Sequence, residues 1–218
     1  MELPATLDND ANCATYGEWW LGAGRGTSSL VCVTLGTGIG GGFIEDGRLL
    51  RGASGSALEI GHTTIDFTGR RCGCGNNGCL EAYASGPSIA ARAREGVESG
   101  YPSLLSDLVD GHLERITAAL VYEALLQGDE YAQEVMTQTA RILGVGLANL
   151  VNTFNPEVLV VVGGVTRAGE HLFGPLRSEV RRRAFSSAVE ACSIVPGALP
   201  DTAGVVGAAG VFLAEYQS

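Results

Sequence analysis

Short, uninterrupted apolar runs alternate along the chain with segments that have helical spacing. Residues 29–35 (SLVCVTL) and 158–162 (VLVVV) are rich in β-branched residues. Such runs are typical of buried strands, and the second fits a central parallel strand covered on both faces. Residues 43–50 (FIEDGRLL) instead predict a strand, an Asp-Gly turn and a second strand, and residues 193–195 predict a last short strand.

The predicted helices are marked by capping residues and by apolar positions three and four residues apart. Asp129 predicts the start of a long helix that runs to about Val151. Further helices are expected over residues 11–21, 85–98, 117–127, 166–183 and 203–216, with one short helical turn within 100–111. Strands, glycine-rich loops and helices that alternate in this way predict an α/β domain. The helical block from Ser85 to Val151 is assigned no chemistry.

Composition narrows the class of protein. The chain has 218 residues, of which 45% are hydrophobic, which is enough for one sizeable core. A net charge of −10 argues against DNA or RNA as the main partner, and the basic run 181–183 is interpreted as a solvated helix face. No apolar run has the length that spans a bilayer, and residues 1–10 lack a signal-peptide core. We therefore expect a cytosolic location, where a thiol-reducing environment favours metal binding over disulfides.

A glycine-rich segment, residues 36–42 (GTGIGGG), follows the first predicted strand. A dinucleotide fingerprint would require a helix next, but a strand is predicted there, and a phosphate-binding P-loop would require a lysine in place of Gly42. What remains is a glycine-rich turn that joins two strands and whose backbone N–H groups can approach phosphate oxygens. A tight hairpin without a ligand is the alternative interpretation.

The stretch 61–85 holds four potential metal ligands, His62, Cys72, Cys74 and Cys79. One imidazole and three thiolates suit a tetrahedral, structural zinc site. Ordinary loop cysteines or a disulfide pair are the alternatives, but three of the six cysteines converge here with a histidine, which favours zinc. The spacing differs from that of a zinc finger, and no basic recognition helix follows.

This stretch resembles the zinc-binding signature of the ROK family, which groups bacterial sugar kinases with sugar-responsive repressors. The cysteine cluster, the Gly-His that precedes it, and Glu81 with the later Ala-Ser-Gly all match, and the glucokinase branch is the most similar. The resemblance implies an α/β fold of the actin-like ATPase type, with ribonuclease-H-like cores. The chain would supply mainly the larger C-terminal lobe of a two-lobe sugar kinase.

The resemblance also implies roles for individual residues. Taken alone, Asn9-Asp10 reads as a helix cap; in the family, the matching aspartate is the catalytic base and the asparagine a sugar ligand. Glu59, His62 and Glu81 would bind sugar hydroxyls, and zinc would shape the pocket without taking part in bond breaking. ATP, with Mg²⁺, would contact Gly36, Thr37, Gly38, Gly40, Gly41, Gly163 and Gly164.

Three segments are expected: residues 1–27 as a remnant of the first lobe with the helix that carries Asp10, 28–202 as the C-terminal lobe with the zinc loop 61–81, and 203–218 as a helix packing toward the first lobe. The Asp-x-Gly-Gly-Thr loop that opens the first lobe in the family is missing from the sequence. A fragment, a truncated gene product and a chain that no longer catalyses all fit this absence.

Phosphorylation of glucose at its 6-hydroxyl is the expected activity, and a homodimer the expected assembly. The alternatives are the sugar-sensing domain of a ROK repressor, or a ROK kinase for N-acetylmannosamine, N-acetylglucosamine or fructose.

Overall fold

The central sheet is built around strand β1, Ser29–Leu35. The computed structural model describes residues 4–216. The other strands in that range are β2 Ile39–Glu45, β3 Arg48–Leu49, β4 Val158–Val162 and β5 Ser193–Pro196. Their spatial order is β3-β2-β1-β4-β5; β1 is antiparallel to β2 and parallel to β4, and β4 is parallel to β5. The predicted strands and the α/β class are confirmed.

The helices begin, in most cases, within one or two residues of a predicted start. They are α1 Asp10–Trp20, α2 Glu81–Ala84, α3 Gly86–Glu98, α4 Leu105–Leu108, α5 Ala118–Leu126, α6 Glu130–Phe154, α7 Glu170–Arg183, α8 Ser186–Ala191 and α9 Ala203–Tyr216. The side chains of Asn9, Ser85, Thr117 and Asp129 accept backbone N–H groups at the starts of α1, α3, α5 and α6. Helices α2 and α8 were not predicted, and no side-chain cap marks the start of either.

Helix α7 begins later than predicted. Gly164–Ala168 forms a 3₁₀ turn, and Gly169, at φ 54°, separates that turn from α7. A residue in the left-handed region cannot continue a right-handed helix. The helix expected from Thr166 therefore starts at Glu170.

The glycine-rich turn is also shorter than predicted. Gly36–Gly38 connect the two strands, whereas Gly40, Gly41 and Gly42 lie within β2 and pair with β1. A Cβ on Gly42 would lie 2.3 Å from Oγ1 of Thr15, so the missing side chain lets α1 approach the sheet.

Alternating residues of β1 and β4 divide the core between the two faces of the sheet. Val31, Val33 and Leu35 face the larger hydrophobic cluster, to which α5, α6 and α7 contribute. Leu30 and Cys32 face the smaller cluster on the opposite side, where α1 packs against β1 and β2. Within residues 4–216, no helix is both long and apolar enough to cross a membrane.

Helix α9 packs along α1. Helix α1 lies within the predicted segment 1–27, and α9 forms most of the predicted segment 203–218; residues 1–3 and 217–218 lie outside the described range. A buried carboxylate, Glu18 on α1, connects α1 to the loop that precedes α9 by accepting the N–H groups of Ala198 and Leu199 at 3.0 and 2.9 Å, and it also accepts the Ala23 N–H at 2.8 Å. Sequence reasoning gave Glu18 no role, since its partners lie up to 181 residues away.

Candidate active site

A cavity of about 370 Å³ opens where β1 ends and α1 begins. It brings together the five residues predicted for catalysis and sugar binding: Asn9, Asp10, Glu59, His62 and Glu81. Of the residues predicted to contact ATP, it includes Gly36, Thr37, Gly38, Gly40, Gly41 and Gly163. Polar groups from segments far apart in sequence therefore converge on one space.

Asn9 and Asp10 lie at the N-terminus of α1. Asn9 Oδ1 accepts the N–H groups of Ala11 and Asn12 at 2.8 and 3.3 Å, so the helix-cap interpretation is correct for this residue. Capping occupies the amide oxygen, and the Nδ2 group retains its capacity to donate to a ligand. Asp10 is exposed and lies in the first helical turn.

A strained turn presents Glu59 to the cavity. Leu58 has φ +59°, an uncommon conformation for a residue with a bulky side chain. Glu59 follows with φ −67° and ψ 58°, and Ile60 N–H donates to the Leu58 carbonyl at 2.7 Å, which defines an inverse γ-turn. His62 N–H then donates to the Glu59 carbonyl at 3.0 Å. This compact turn places Glu59 and His62 on the same cavity wall.

The four predicted zinc ligands cluster. A ring nitrogen of His62 and the sulfurs of Cys72, Cys74 and Cys79 all lie within 4.8 Å of one another, and Nδ1 is the nitrogen next to the Cys72 sulfur. The Cys74–Cys79 and Cys72–His62 separations are both 3.7 Å, close to the roughly 3.8 Å between ligands of a tetrahedral Zn²⁺ with 2.3 Å bonds to sulfur. These cysteines are free thiols, so the disulfide alternative does not hold within the described chain. The donor set fits a zinc ion.

Local electrostatics differ between two of these thiols. Burial and the neighbouring Cys74 and Cys72 thiols raise the pKa of Cys79 to about 12, while a backbone N–H at Asn76 lowers the pKa of Cys74. A divalent cation favours the thiolate form of every cysteine that it binds.

Bridges and side-chain contacts hold the zinc loop in place around these ligands. Thr64 pairs with Cys79, and Arg71 pairs with Asn77, in isolated β-bridges. The Tyr83 hydroxyl accepts the Arg70 N–H at 2.8 Å, and the Arg70 guanidinium forms an ion pair with Glu95 of α3. Glu81 starts α2 two residues after Cys79, so it is carried directly by the loop.

A second, more apolar cavity of about 710 Å³ adjoins the first and shares Leu35, Gly36 and Thr37 with it. Gly164, which the first cavity does not include, lies here. Its other walls come from α3, α5, α6 and the 3₁₀ turn, and include Ile89, Tyr122, Met136, Val165 and Ala168. No chemistry was predicted for α3–α6 from the sequence, because apolar positions on a helix predict a buried core. Only the packing of the helices shows that some of these residues border a cleft.

Gly163 lines the first cavity, and its neighbour Gly164 lines the second. The φ of Gly163 is +105°, and a Cβ there would lie 2.2 Å from the Leu35 carbonyl oxygen. Only glycine fits this conformation and this approach. The turn at the end of β4 can therefore contact the end of β1.

The ion pair between Asp8 and Arg51, next to the site, was not predicted from the sequence. Arg51 Nη2 lies 2.8 Å from Asp8 Oδ2, although 43 residues separate them in sequence. No local pattern marks such a pair, since the ion pair exists only after β1–β3 have folded against α1.

Comparison with known proteins supplies the family. The family described as ROK matches residues 1–215. The chain belongs to the ROK family. The predicted resemblance is confirmed over nearly the whole chain.

Three relatives illustrate the range of this family. The chain is 42% identical to a glucokinase of Thermotoga maritima over 205 residues, covering 94% of the chain and 64% of that enzyme. A ROK glucokinase from Streptomyces griseus, solved with glucose and AMPPNP, superposes with a TM-score of 0.87 at 39% identity, covering 96% of the chain and 68% of that structure. A ROK transcriptional regulator, a homologue of E. coli Mlc, superposes with the same TM-score at 31% identity, covering 98% and 53%.

These matches confirm the predicted fold, an α/β fold of the actin-like ATPase type. The chain spans slightly less than two thirds of the Thermotoga glucokinase. The division into three segments, the homodimer and the cytosolic location stay predictions.

Proposed function

We propose that this chain forms the sugar-binding and catalytic part of an ATP-dependent glucokinase. The observation that carries the proposal is the shared cavity, in which Asp10, Asn9, Glu59, His62 and Glu81 meet the glycine turn. A sugar needs several donors and acceptors at fixed positions, and phosphoryl transfer needs a base beside a phosphate-binding turn. The identity with glucokinases supports glucose as the substrate.

Asp10 is the proposed base. Its exposed carboxylate can accept the proton of the 6-hydroxyl as this oxygen attacks the γ-phosphorus of ATP. The oxygen–phosphorus bond to ADP breaks as the new bond forms. Asn9 Nδ2 would donate to a sugar hydroxyl, since its Oδ1 is occupied by the helix cap. The proposed base and the proposed sugar ligand are therefore neighbours in the first, capped turn of α1.

The other sugar hydroxyls would form hydrogen bonds with Glu59, His62 and Glu81. Zinc bound at the four-ligand cluster would hold the His62 ring through Nδ1 and leave Nε2–H to donate to the sugar. The ion would thus organise the pocket, and the bond-breaking chemistry stays with Asp10.

ATP would occupy the second cavity, with its phosphates at the glycine turn. The apolar walls suit an adenosine group, and the shared residues Gly36 and Thr37 connect that cleft to the sugar. The Gly40 N–H donates to Thr34 Oγ1 at 3.1 Å, so we assign the main phosphate contacts to the tip, Thr37 and Gly38. Mg²⁺ would accompany the triphosphate and neutralise its charge.

A sugar-sensing role is the second candidate. The likeness to a ROK transcriptional regulator, with a TM-score of 0.87, supports this role. In a sensor, the same cavity would bind a sugar without transferring phosphate. Kinases for N-acetylmannosamine, N-acetylglucosamine or fructose are further candidates within the family. Phosphoryl transfer distinguishes sensor from kinase, and competition among these sugars distinguishes the kinases.

The test is ATP-dependent phosphorylation of glucose by the full-length protein, compared with Asp10→Asn and with Asp46→Asn. Asp46 is an exposed residue of the β2–β3 turn whose left-handed backbone tolerates asparagine. We expect Asp10→Asn to lose at least about a hundredfold in kcat with glucose binding near normal, and Asp46→Asn to match the wild type. Unchanged turnover in Asp10→Asn would contradict the assigned base. Wild-type protein that binds glucose without phosphorylating it would favour the sensor.

A further inference from the structure

Asp8, next to the proposed catalytic segment, has an almost fully buried side chain. Its Oδ1 accepts the Asn9 N–H at 2.8 Å and the Nδ2 group of buried Asn12 at 2.7 Å. Its Oδ2 accepts Nε of Arg51 at 3.0 Å and lies 2.8 Å from Nη2. Burial alone would raise the pKa of Asp8, but these hydrogen bonds and the Arg51 charge hold it below its usual value. The carboxylate therefore fixes the backbone that enters Asn9 and Asp10.

Arg51 begins the loop that carries Glu59. The Arg51 carbonyl accepts the Ala57 N–H at 3.2 Å, which closes the loop, and Gly55, Ala57, Leu58 and Glu59 line the sugar cavity. Residues 52–56 are exposed, and Gly52 and Gly55 have positive φ, so the loop provides little packing of its own. The side chain of Arg51 therefore anchors a segment with few other constraints.

The same guanidinium also reaches the C-terminal helix. Arg51 Nη2 lies 3.1 Å from Glu215 Oε1 of α9. One arginine thus contacts the catalytic segment, the sugar loop and α9. Of the two acidic partners, Asp8 has the more buried side chain and contacts two nitrogens of the guanidinium, Nε and Nη2, so it is the main anchor.

We propose that Asp8 and Arg51 are positioning residues of the sugar site. Their ion pair holds loop 51–59, with Glu59, against the segment that carries Asn9 and Asp10. The proposal rests on the proposed function, because it assigns these two residues to the same hydroxyl-binding cavity. Neither residue lines that cavity, so both act through the residues that they hold.

Misplacement by about 1 Å can lower turnover about a hundredfold, whereas a partly exposed ion pair contributes little to global stability. Loss of this pair should therefore affect glucose kinetics far more than folding. The expected signature is a higher KM for glucose and a lower kcat, with KM for ATP unchanged, since the second cavity is lined by other segments.

The experiment uses the full-length protein with Asp8→Asn, Arg51→Gln and the double variant. Asp8→Glu serves as the conservative rescue, and Glu170→Gln as the control. The control breaks the Arg177–Glu170 pair on α7, which neither cavity includes. Steady-state kinetics for both substrates, glucose titration calorimetry, zinc content and Tm are measured on each protein.

We expect each single variant to lose about tenfold to a hundredfold in kcat/KM for glucose, and the double variant to lose no more than the worse single one, because both remove one interaction. Asp8→Glu should recover part of the loss, and Glu170→Gln should match the wild type. Single variants within twofold of wild type, or losses that are accompanied by unfolding at the assay temperature or by loss of zinc, would overturn the proposal.

If the proposed kinase function is wrong, the wild-type protein itself behaves differently in these measurements. Wild-type protein that binds glucose but does not phosphorylate it would remove the kinase assignment, and the same variants would then have to weaken glucose binding by a similar factor. Unchanged binding in those variants would overturn the positioning role. Wild-type protein that neither binds nor phosphorylates glucose would remove both proposals.

Discussion

Glu81 Oε2 accepts the backbone N–H of Ile39 at 2.9 Å. The carboxylate that closes the zinc loop is thereby attached to the first residue of β2, just after the glycine turn. This hydrogen bond therefore connects the proposed metal cluster and sugar pocket to the proposed phosphate-binding turn. A disturbance of the metal cluster is expected to reach the site through this bond.

Zinc removal should impair sugar binding. We expect one zinc per chain in freshly purified protein, and Cys74→Ser should lose the metal and raise KM for glucose about tenfold or more, because His62 and Glu81 lose their fixed positions. Metal analysis by mass spectrometry and steady-state kinetics measure both effects. Cys192→Ser, outside the cluster, is the matched control and should keep both metal and KM. A wild-type protein without stoichiometric zinc would disprove the metal assignment.

The adjacent glycines 163 and 164 should respond differently to alanine. Gly163→Ala introduces a Cβ at φ +105° and 2.2 Å from the Leu35 carbonyl, so we expect a loss of about 2 kcal/mol or more in the free energy of unfolding. A Cβ on Gly164 meets no atom within 4 Å, and its substitution should change that free energy by less than about 0.5 kcal/mol. Urea denaturation measures both values. Equal losses would show that the close approach does not govern stability.

The left-handed backbone of Leu58 can be tested with two substitutions that remove the same packing. Leu58→Ala and Leu58→Gly both lose the side chain, but only alanine retains a Cβ at φ +59°. We therefore expect the glycine variant to be more stable by about 1 kcal/mol, measured by denaturant unfolding. If alanine is the more stable of the two, the strain assigned to this turn is absent.

Acid should weaken the contribution of Asp8 to stability. Its pKa in the folded protein is held below the usual 3.8, so the ionised form stabilises the fold above that pH, and the stabilisation is lost as the pH falls. The difference in Tm between the wild type and Asp8→Asn should accordingly be larger at about pH 6 than at about pH 3. Thermal unfolding across this range measures it; a constant difference would mean that the Asp8 charge does not contribute.

Much of the fold was predictable because its signals are local. An unbroken β-branched run predicts a buried strand wherever it occurs, and β4 is buried along its whole length. Caps act over three residues, as Asp129 does when it accepts the Ala132 N–H at 2.7 Å. The start of α7 could not be read in the same way, since only the backbone conformation of Gly169 shows that the preceding turn ends there.

The clustering of the four proposed zinc ligands was predictable for a related reason. Three cysteines within eight residues cannot move far apart, and His62 precedes them by only ten. A short, glycine-rich segment therefore brings its own donors together, whatever surrounds it. The sugar-site residues, by contrast, were assigned from the family resemblance, and the structure shows that they share one cavity.

The sequence by itself determined the strands, the capped helix starts and the metal-ligand cluster, because each depends on residues close together in the chain. Only the tertiary structure decided which distant groups meet: Asp8 with Arg51 across 43 residues, Glu81 with Ile39 across 42, and Glu18 with Ala198 across 180. It also decided that apolar residues of α3 and α5 border a cleft. The physical reason is that burial and charge pairing depend on how elements pack, and packing is a property of the whole chain.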